Sequence, residues 1–413
     1  NVKSNYTSSA FRSYDVWYAN YKWIANVNYI IDAEPEMAGT EADVAYVAGQ
    51  AYAIRALCYL NLATWFSRAP YNSLTGASRW NEPCVPVYTT GTSIDTGGQP
   101  RESLRTVYGR IDRAIELLEK ARETTLAENN KSHINLYVAL GIKSRACLAE
   151  GDWDGAFKAA KRVIDEGGYA VGTKSDLTGG MNSLDKQNVM WGAGIQVADQ
   201  AGGYAGFFTH MDNKEGAYAK SAPKLISKQL YNRISATDIR RDWWDPSDKE
   251  SPYVSKKFSF ANVASFLGDY IYMRVEEMYF TAAEAALRLD DLKSARELMN
   301  TVMAERDPGY SANNRSGTLL GATTTTWTGS FLENILTHRR IELWGEYGRL
   351  FDVRRLGQGI DRRTDDGFSE ECISMMNRRN VNITKADTYD WVLTIPKAEL
   401  DANPNINEED QNP

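Results

Sequence analysis

Apolar residues recur at positions i, i+3, i+4 and i+7 in several separate stretches of the chain, which is the spacing of one helical face. Two stretches follow the same plan: a first apolar stripe, a short turn of Gly or Asp, and a second stripe. The turns fall at Gly151-Asp152 and at Asp290-Asp291. This plan predicts paired helices in units of about 34 residues, as in tetratricopeptide repeats.

Two further units complete the predicted set. In one, a helical face from Val47 to Trp65 is separated from its partner stripe, Val107 to Ala121, by a long segment. In the other, Leu332 and Ile335 begin an apolar stripe after Ser330, a predicted helix cap. One helix pair cannot bury its apolar face alone, so we expect the pairs to stack into a right-handed superhelix. The predicted helix-pair units span residues 44–123, 134–169, 272–306 and 331–357.

Segments of a different composition interrupt these units. Residues 67–102 contain four prolines and four glycines, a density that stops helices. Residues 170–270 lack a sustained helical period and are rich in glycine and aromatic residues, and the tail 391–413 holds too much proline for a long helix. We therefore predict a mainly α fold in a single domain covering residues 1–413, with a large, irregular, loop-rich lobe packed on the helices.

The charge balance narrows the classes of partner. The formal net charge is −7 at pH 7, and the sequence pI is near 5.3. Nucleic-acid binders need a basic surface to contact phosphates, so this balance argues against a nucleic-acid partner.

Cysteine and histidine give no sign of a metal centre. The four cysteines lie far apart, and their spacing suggests neither a zinc site nor a disulfide framework. The three histidines are isolated as well. We therefore expect neither a metal nor a cofactor. No apolar run in the sequence is long enough to span a membrane.

Four segments, in order along the chain, carry a family resemblance. The most specific is Arg339–Trp344 (Arg-Arg-Ile-Glu-Leu-Trp) followed by Phe351–Leu356. The others are Arg55–Tyr71, Tyr272–Ala285 and the tail that ends in Gln411-Asn412-Pro413. Together they resemble the SusD/RagB family, the outer-membrane nutrient-binding lipoproteins of Bacteroidetes.

This resemblance implies a function and a location. It implies a non-catalytic glycan-binding protein that delivers oligosaccharides to a SusC-like, TonB-dependent transporter in the outer membrane. It also implies a lipid anchor on the cell surface. The chain begins at Asn1 without the lipidated cysteine that family members carry, so the expected anchor is absent from this chain.

Aromatic residues in the loops are the candidates for ligand binding. The chain has 23 Tyr and 11 Trp but only 12 Phe. Tyr and Trp combine a flat apolar face with a polar edge, which suits the C–H face and hydroxyl rim of a sugar. Loops present such residues to ligands more often than helices do. The candidates are Tyr71, Trp80, Asn81, Tyr88, Trp191, Tyr204, Trp243 and Trp244.

The charges of residues 339–354 have a structural interpretation. Carboxylates alternate with arginines at helical spacing there, which is typical of ion pairs between helices rather than of acid–base catalysis. We expect Arg340 to pair with a buried carboxylate.

Two alternatives to glycan binding stay open at this point. Stacked helix pairs also form scaffolds that bind peptides or proteins. A glycoside-cleaving enzyme would need two facing carboxylates at a set separation, which a sequence cannot show.

Overall fold

The computed structural model describes residues 11–91, 97–124, 126, 130–197, 206–362, 366 and 388–412. The helices in this part of the chain are α1 (Phe11–Ala33), α2 (Glu41–Phe66), α3 (Leu104–Tyr108), α4 (Asp112–Lys120), α5 (Leu136–Glu150), α6 (Trp153–Glu166), α7 (Lys174–Thr178), α8 (Phe207–Met211), α9 (Ala217–Ser221), α10 (Lys228–Tyr231), α11 (Val275–Arg288), α12 (Leu292–Ala304), α13 (Phe331–Glu342), α14 (Arg349–Arg355) and α15 (Lys397–Ala402). Short 3₁₀ helices lie at Glu34–Glu36, Ala121–Glu123, Ile239–Trp243, Tyr389–Trp391 and Glu408–Asp410.

The strands form three small antiparallel ribbons. They are β1 (Pro83–Pro86) with β2 (Arg101–Ser103), β3 (Val189–Ala193) with β6 (Tyr270–Arg274), and β4 (Trp244–Asp245) with β5 (Val254–Ser255). The mainly α fold of stacked, tetratricopeptide-like helix pairs is thus confirmed, with the irregular segments packed on it.

The turns between paired helices lie where the sequence predicts them. Helix α5 ends at Gly151, whose φ of +72° is readily adopted only by glycine. Asp152 then caps α6, because its side chain accepts a hydrogen bond from the Gly155 N–H. Asp291 caps α12 in the same way by accepting from the Ser294 N–H. Both pairs therefore reverse direction through the same local chemistry.

Small residues allow the helices of neighbouring pairs to approach closely. Helices α6 and α11 pack side by side. The alanines at their contact faces are buried: Ala156, Ala160, Ala282 and Ala286 have no exposed surface. The stack therefore has one continuous apolar core that runs through α2, α4, α5, α6, α11, α12 and α13.

The last helix pair carries the sequence signature. Ser330 caps α13 by accepting a hydrogen bond from the Glu333 N–H, as predicted. The chain then turns through Gly345 and Gly348, which have φ values of +75° and +117°. This turn brings α14 back beside the stack and exposes residues 345–347 to a cavity described below.

Buried ion pairs tie this last pair to the rest of the fold. Glu342, which is fully buried, accepts hydrogen bonds from Arg274, Arg306 and Arg240 at 3.0–3.2 Å. Burial alone would raise the pKa of Glu342, but the three guanidinium groups lower it well below its usual range. The ion-pair interpretation of the charged motif is confirmed.

One partner in this network differs from the prediction. Arg339, not Arg340, holds buried carboxylates: its Nε donates to Asp352 Oδ2 at 3.0 Å and its Nη2 to Glu277 Oε1 at 3.4 Å. Arg340 donates to the Thr324 carbonyl at 3.2 Å, and the described residues give it no ion pair. The reason is helical phase, because adjacent residues on a helix point about 100° apart.

No helix among the described residues is both long enough and apolar enough to cross a membrane.

Candidate functional site

The structure places two of the predicted ligand-binding residues in the core. Trp243 and Trp244 are each only 2% exposed. The Trp243 Nε1–H donates to the Leu177 carbonyl at 2.8 Å, and the Trp244 ring packs edge-on against Trp344 at 5.8 Å. The prediction that they present a face to ligand is wrong, because short β4–β5 pairing folds this segment inward around its own apolar cluster.

Three candidates lie on the loop after α2. Trp80 is half-buried beneath the Arg105 guanidinium, 5.5 Å from the ring centre. Tyr71 packs edge-on against Trp153 at 6.0 Å, and Asn81 is exposed. None of the three lines the cleft described next. Tyr204 lies outside the described residues.

Tyr88 belongs to a separate cavity of about 370 Å³ between α1 and the tail. Its hydroxyl accepts a hydrogen bond from the Gln99 N–H at 3.1 Å. Tyr14, Tyr18 and Glu399 line the same cavity.

Trp191 opens onto the largest cavity that we describe, about 520 Å³, which we call the aromatic cleft. It lies where the β3–β6 ribbon meets α2, α5, α8 and the turn after α13. Its lining residues are Leu57, Asn61, Arg145, Met181, Trp191, Phe207, Phe258, Tyr270, Ile271, Tyr272, Gly345, Glu346 and Tyr347. An apolar, aromatic wall with a few polar groups is the usual composition of a small-molecule site.

The β3–β6 ribbon positions the central aromatic pair. The two strands run antiparallel with Trp191 opposite Met273. The Trp191 and Tyr272 ring centres lie 4.9 Å apart at an interplanar angle of 64°. Tyr272 remains 42% exposed, so part of its ring is available to a ligand. Tyr270 follows the same face of β6, since side chains alternate along a strand.

Helix α2 supplies Asn61, a polar side chain that can both donate and accept hydrogen bonds in the cleft. Leu57 and Asn61 are one turn apart on the same face and both line the cleft. The Asn61 side chain makes no hydrogen bond to any described residue, and neither does the Tyr272 hydroxyl or the Trp191 indole N–H. These groups can therefore bind ligand hydroxyls.

Arg145 and Tyr347 form the floor of the cleft. The Arg145 guanidinium lies 3.9 Å from the Tyr347 ring centre. Its Nε and Nη2 donate to the two carboxylate oxygens of Glu277 at 2.8 and 2.7 Å. Burial opposes the charge of Arg145, but this carboxylate raises its pKa on balance. The Tyr347 hydroxyl is buried without a hydrogen-bond partner among the described residues. Burial also raises its pKa.

Glu346 is the one carboxylate among the described lining residues of the cleft. It accepts hydrogen bonds from Lys257 Nζ and from Arg274 Nε and Nη2. Burial opposes ionisation, but the two cations lower the pKa of Glu346 below its usual value. It is therefore held as a carboxylate and is poorly suited to donate a proton to a leaving group. The floor as a whole combines paired charges and is close to neutral.

Gly345 lets the turn close against the aromatic wall. Its φ is +75°, and a Cβ at this position would lie 2.5 Å from a Phe258 ring carbon. Any other residue would both strain the backbone and displace the wall.

One cluster has donor atoms close enough to hold a metal ion. Side-chain atoms of Cys147, Glu150 and Asp152 lie within 4.8 Å of one another at the α5–α6 turn. Asp152 is already engaged as the cap of α6. Burial raises the pKa of the Cys147 thiol and raises that of Glu150 to about 7, so the thiol stays neutral and the carboxyl is only partly ionised at pH 7. We therefore interpret the cluster as part of the α5–α6 turn.

Most of the residues that line the cleft were not predicted from the sequence. Asn61 and Arg145 lie within helices whose other positions are core, and Tyr347 lies in a motif explained by ion pairs. The available signal was the alternation Tyr270-Ile271-Tyr272 just before α11, which places two tyrosines on one face of a strand.

The chain is similar to known proteins in both sequence and fold. Residues 213–413 match the SusD family. A SusD-like carbohydrate binding protein from Bacteroides vulgatus is 26% identical, with a TM-score of 0.73 over 96% of this chain and 83% of that chain. SusD superfamily proteins from Bacteroides thetaiotaomicron (22% identical, TM-score 0.74, 96% and 85% covered) and Bacteroides vulgatus (21% identical, TM-score 0.74, 99% and 87% covered) share the fold. No curated protein matches the chain. These matches confirm the resemblance predicted from the sequence.

Proposed function

We propose, on the premise that this chain is a SusD/RagB-like protein, that it is a non-catalytic glycan-binding protein whose aromatic cleft holds an oligosaccharide. The observation that carries the proposal is the Trp191–Tyr272 pair, whose rings are 4.9 Å apart and border a cavity of about 520 Å³. The carbohydrate-binding description of the Bacteroides vulgatus relative supports the same ligand class.

The chemistry of the cleft fits a sugar. The C–H face of a pyranose packs on an aromatic ring, while its hydroxyls need both donors and acceptors. The Asn61 carboxamide supplies both, and the Trp191 N–H and the Tyr272 hydroxyl add to it. These uncharged polar groups beside the aromatic faces would bind a neutral sugar ring.

The paired floor argues for binding without cleavage. A glycosidase uses two carboxyl groups on opposite sides of the scissile bond. In the cleft, Glu346 is fixed by Lys257 and Arg274, and Glu277 lies behind Arg145 as its ion-pair partner. Neither carboxylate stands free beside the aromatic pair.

The location and partner are a finer part of the proposal. We place the protein on the outer face of the outer membrane, held there by a lipid anchor. There it would pass its glycan to a SusC-like, TonB-dependent transporter. Co-purification with the barrel protein encoded beside it, if one is present, tests this part separately from ligand binding.

The cleft is tested by binding measurements on one variant and its control. We expect Trp191→Ala to weaken binding of the best glycan from a polysaccharide screen by on the order of tenfold, since stacking on an aromatic ring is lost. Trp80→Ala, on the loop outside the cleft, is the matched control. Equal binding by wild type and Trp191→Ala, with loss in Trp80→Ala, would move the site to the loop after α2.

The same material tests the two alternatives. Release of reducing ends from a bound polysaccharide would show catalysis and overturn the non-catalytic assignment. Failure to bind any glycan, together with tight binding of a peptide, would favour the helix-repeat scaffold.

A further inference from the structure

A second cavity adjoins the aromatic cleft on the other side of Gly345. It has a volume of about 230 Å³, and Gly345 lines both cavities. Three arginines from separate segments face it: Arg340 of α13, Arg349 of α14 and Arg362. We call this cavity the arginine recess.

Two of these arginines differ from Arg339 and Arg355, which lie on the same two helices. Arg339 and Arg355 each form ion pairs with carboxylates at 2.7–3.4 Å. Arg340 instead donates only to the neutral Thr324 carbonyl, at 3.2 Å. Arg349 makes no hydrogen bond and no ion pair to any residue that the structure describes. The guanidinium groups of Arg340 and Arg349 therefore have N–H donors that no described residue engages.

Two carboxylates also line the recess. Asp361 Oδ2 accepts from the Thr325 hydroxyl at 2.8 Å, and Asp366 Oδ1 accepts from the Gln229 N–H at 2.8 Å. Among the described lining residues, three arginines face two carboxylates, so their summed formal charge is positive. Burial and the neighbouring guanidinium groups Arg349 and Arg362 lower the pKa of Arg340, and burial lowers that of Arg349 to about 10.

We propose that the arginine recess binds the anionic group of an acidic sugar, a uronate carboxylate or a sulfate ester, while the adjoining cleft holds the sugar rings. This inference rests on the proposed function and specifies its ligand class. A planar guanidinium group matches a carboxylate or sulfate with two parallel hydrogen bonds, and partial burial strengthens such bonds. Since Gly345 borders both cavities, an oligosaccharide in the cleft can extend to the recess without crossing a side chain at that position.

The recess is tested with small anions on the full chain. Thermal stability and calorimetric binding are measured with sodium glucuronate, glucose and sodium sulfate, with sodium chloride used to keep the ionic strength equal. We expect glucuronate and sulfate to stabilise the wild type and glucose to have a much smaller effect. Arg349→Gln is expected to weaken glucuronate binding by on the order of tenfold, the loss of one charge-assisted contact.

Two further variants keep the test falsifiable. Arg349→Lys retains the charge without the planar pair of donors, so it should bind glucuronate with intermediate affinity even if Arg349→Gln fails to fold. Lys293→Gln removes an exposed positive charge on α12, where the side chain is 85% exposed, and should leave glucuronate binding unchanged.

Each outcome bears on the proposal. Glucuronate binding that depends on Arg349 supports it. Sulfate binding without glucuronate binding would overturn the uronate assignment and leave only the sulfate ester. Glucuronate binding that does not depend on Arg349 would overturn the recess as the binding site. If a neutral oligosaccharide binds the wild type but not Trp191→Ala, and neither anion has an effect, this inference is overturned and the proposed function stands.

Discussion

The Arg145 guanidinium lies over the Tyr347 ring, 3.9 Å from its centre, although the two residues are 202 positions apart (347 − 145). The contact joins α5 to the turn after α13 beneath the aromatic cleft. A cation over an aromatic face is favourable, and more so away from water. It also leaves the Tyr347 hydroxyl buried with no hydrogen-bond partner among the described residues.

Removing that hydroxyl should not destabilise the protein. We expect Tyr347→Phe to leave the free energy of unfolding unchanged or to raise it by about 1 kcal/mol, because an unsatisfied buried polar group is lost. If a bound glycan supplies the missing partner, the same variant should bind it more weakly. Chemical denaturation and calorimetric binding measure the two effects.

Tyr59→Phe is the matched control for this change. The Tyr59 hydroxyl is satisfied: it donates to the Tyr88 carbonyl at 3.0 Å and accepts from the Tyr88 N–H at 2.7 Å. Its removal should lower the free energy of unfolding by about 1–2 kcal/mol. A greater loss of stability in Tyr347→Phe than in Tyr59→Phe would contradict the unpaired hydroxyl.

Trp243 should behave as a core residue. We expect Trp243→Ala to lower the free energy of unfolding by about 3–5 kcal/mol, because a fully buried indole is replaced by a cavity and the hydrogen bond to the Leu177 carbonyl is lost. Trp23→Ala, at a position 58% exposed on α1, should change it far less. Similar melting temperatures for the two variants would return Trp243 to the list of surface candidates.

The two tryptophans also show where sequence reasoning reaches its limit. Trp191 and Trp243 both lie in the aperiodic segment 170–270, and no local periodicity shows which of them is buried. Trp191 is half-exposed because β3 pairs with β6 across more than 75 residues, and Trp243 is buried because its segment folds on residues near 177 and 341. Burial in an irregular lobe depends on these distant contacts, which leave no pattern in the local sequence.

The helix pairs, in contrast, could be predicted from the local sequence. Helix periodicity, the cap at Ser330 and the turn at Gly151-Asp152 depend on residues three or four positions apart, so the sequence predicted them correctly. The ion-pair role of the charged motif was also predictable, since alternating charges at helical spacing have few other uses. Which arginine meets which carboxylate was not, and the prediction for Arg340 was wrong for that reason.

The network around Glu342 should be the most sensitive ionic site. We expect Glu342→Gln to destabilise the fold by about 3–5 kcal/mol, because Arg240, Arg274 and Arg306 would lose a shared buried carboxylate. Glu297→Gln removes an exposed carboxylate, 65% exposed and 3.8 Å from Lys293, and should cost less than about 1 kcal/mol. Urea denaturation of both variants measures the difference, and equal values would argue against the network as a structural centre.

Glu150 should make stability fall as the pH rises from about 4.5 to 7. Burial raises its pKa in the folded protein to about 7, with the charges of Asp152 and Asp112 adding to the effect and those of Lys143 and Arg105 opposing it. In the unfolded chain its pKa returns to the usual value of 4.5. Across that window the folded state keeps a proton that the unfolded state has released, so each rise in pH favours the unfolded state until the folded carboxyl also ionises. Glu150→Gln cannot ionise, and its free energy of unfolding should exceed that of the wild type by about 1–2 kcal/mol more at pH 7.5 than at pH 4.5. Glu297→Gln serves again as the exposed control. Denaturation curves at the two pH values give the comparison, and a Glu150→Gln difference that stays constant with pH would show that this carboxyl titrates normally in the folded protein.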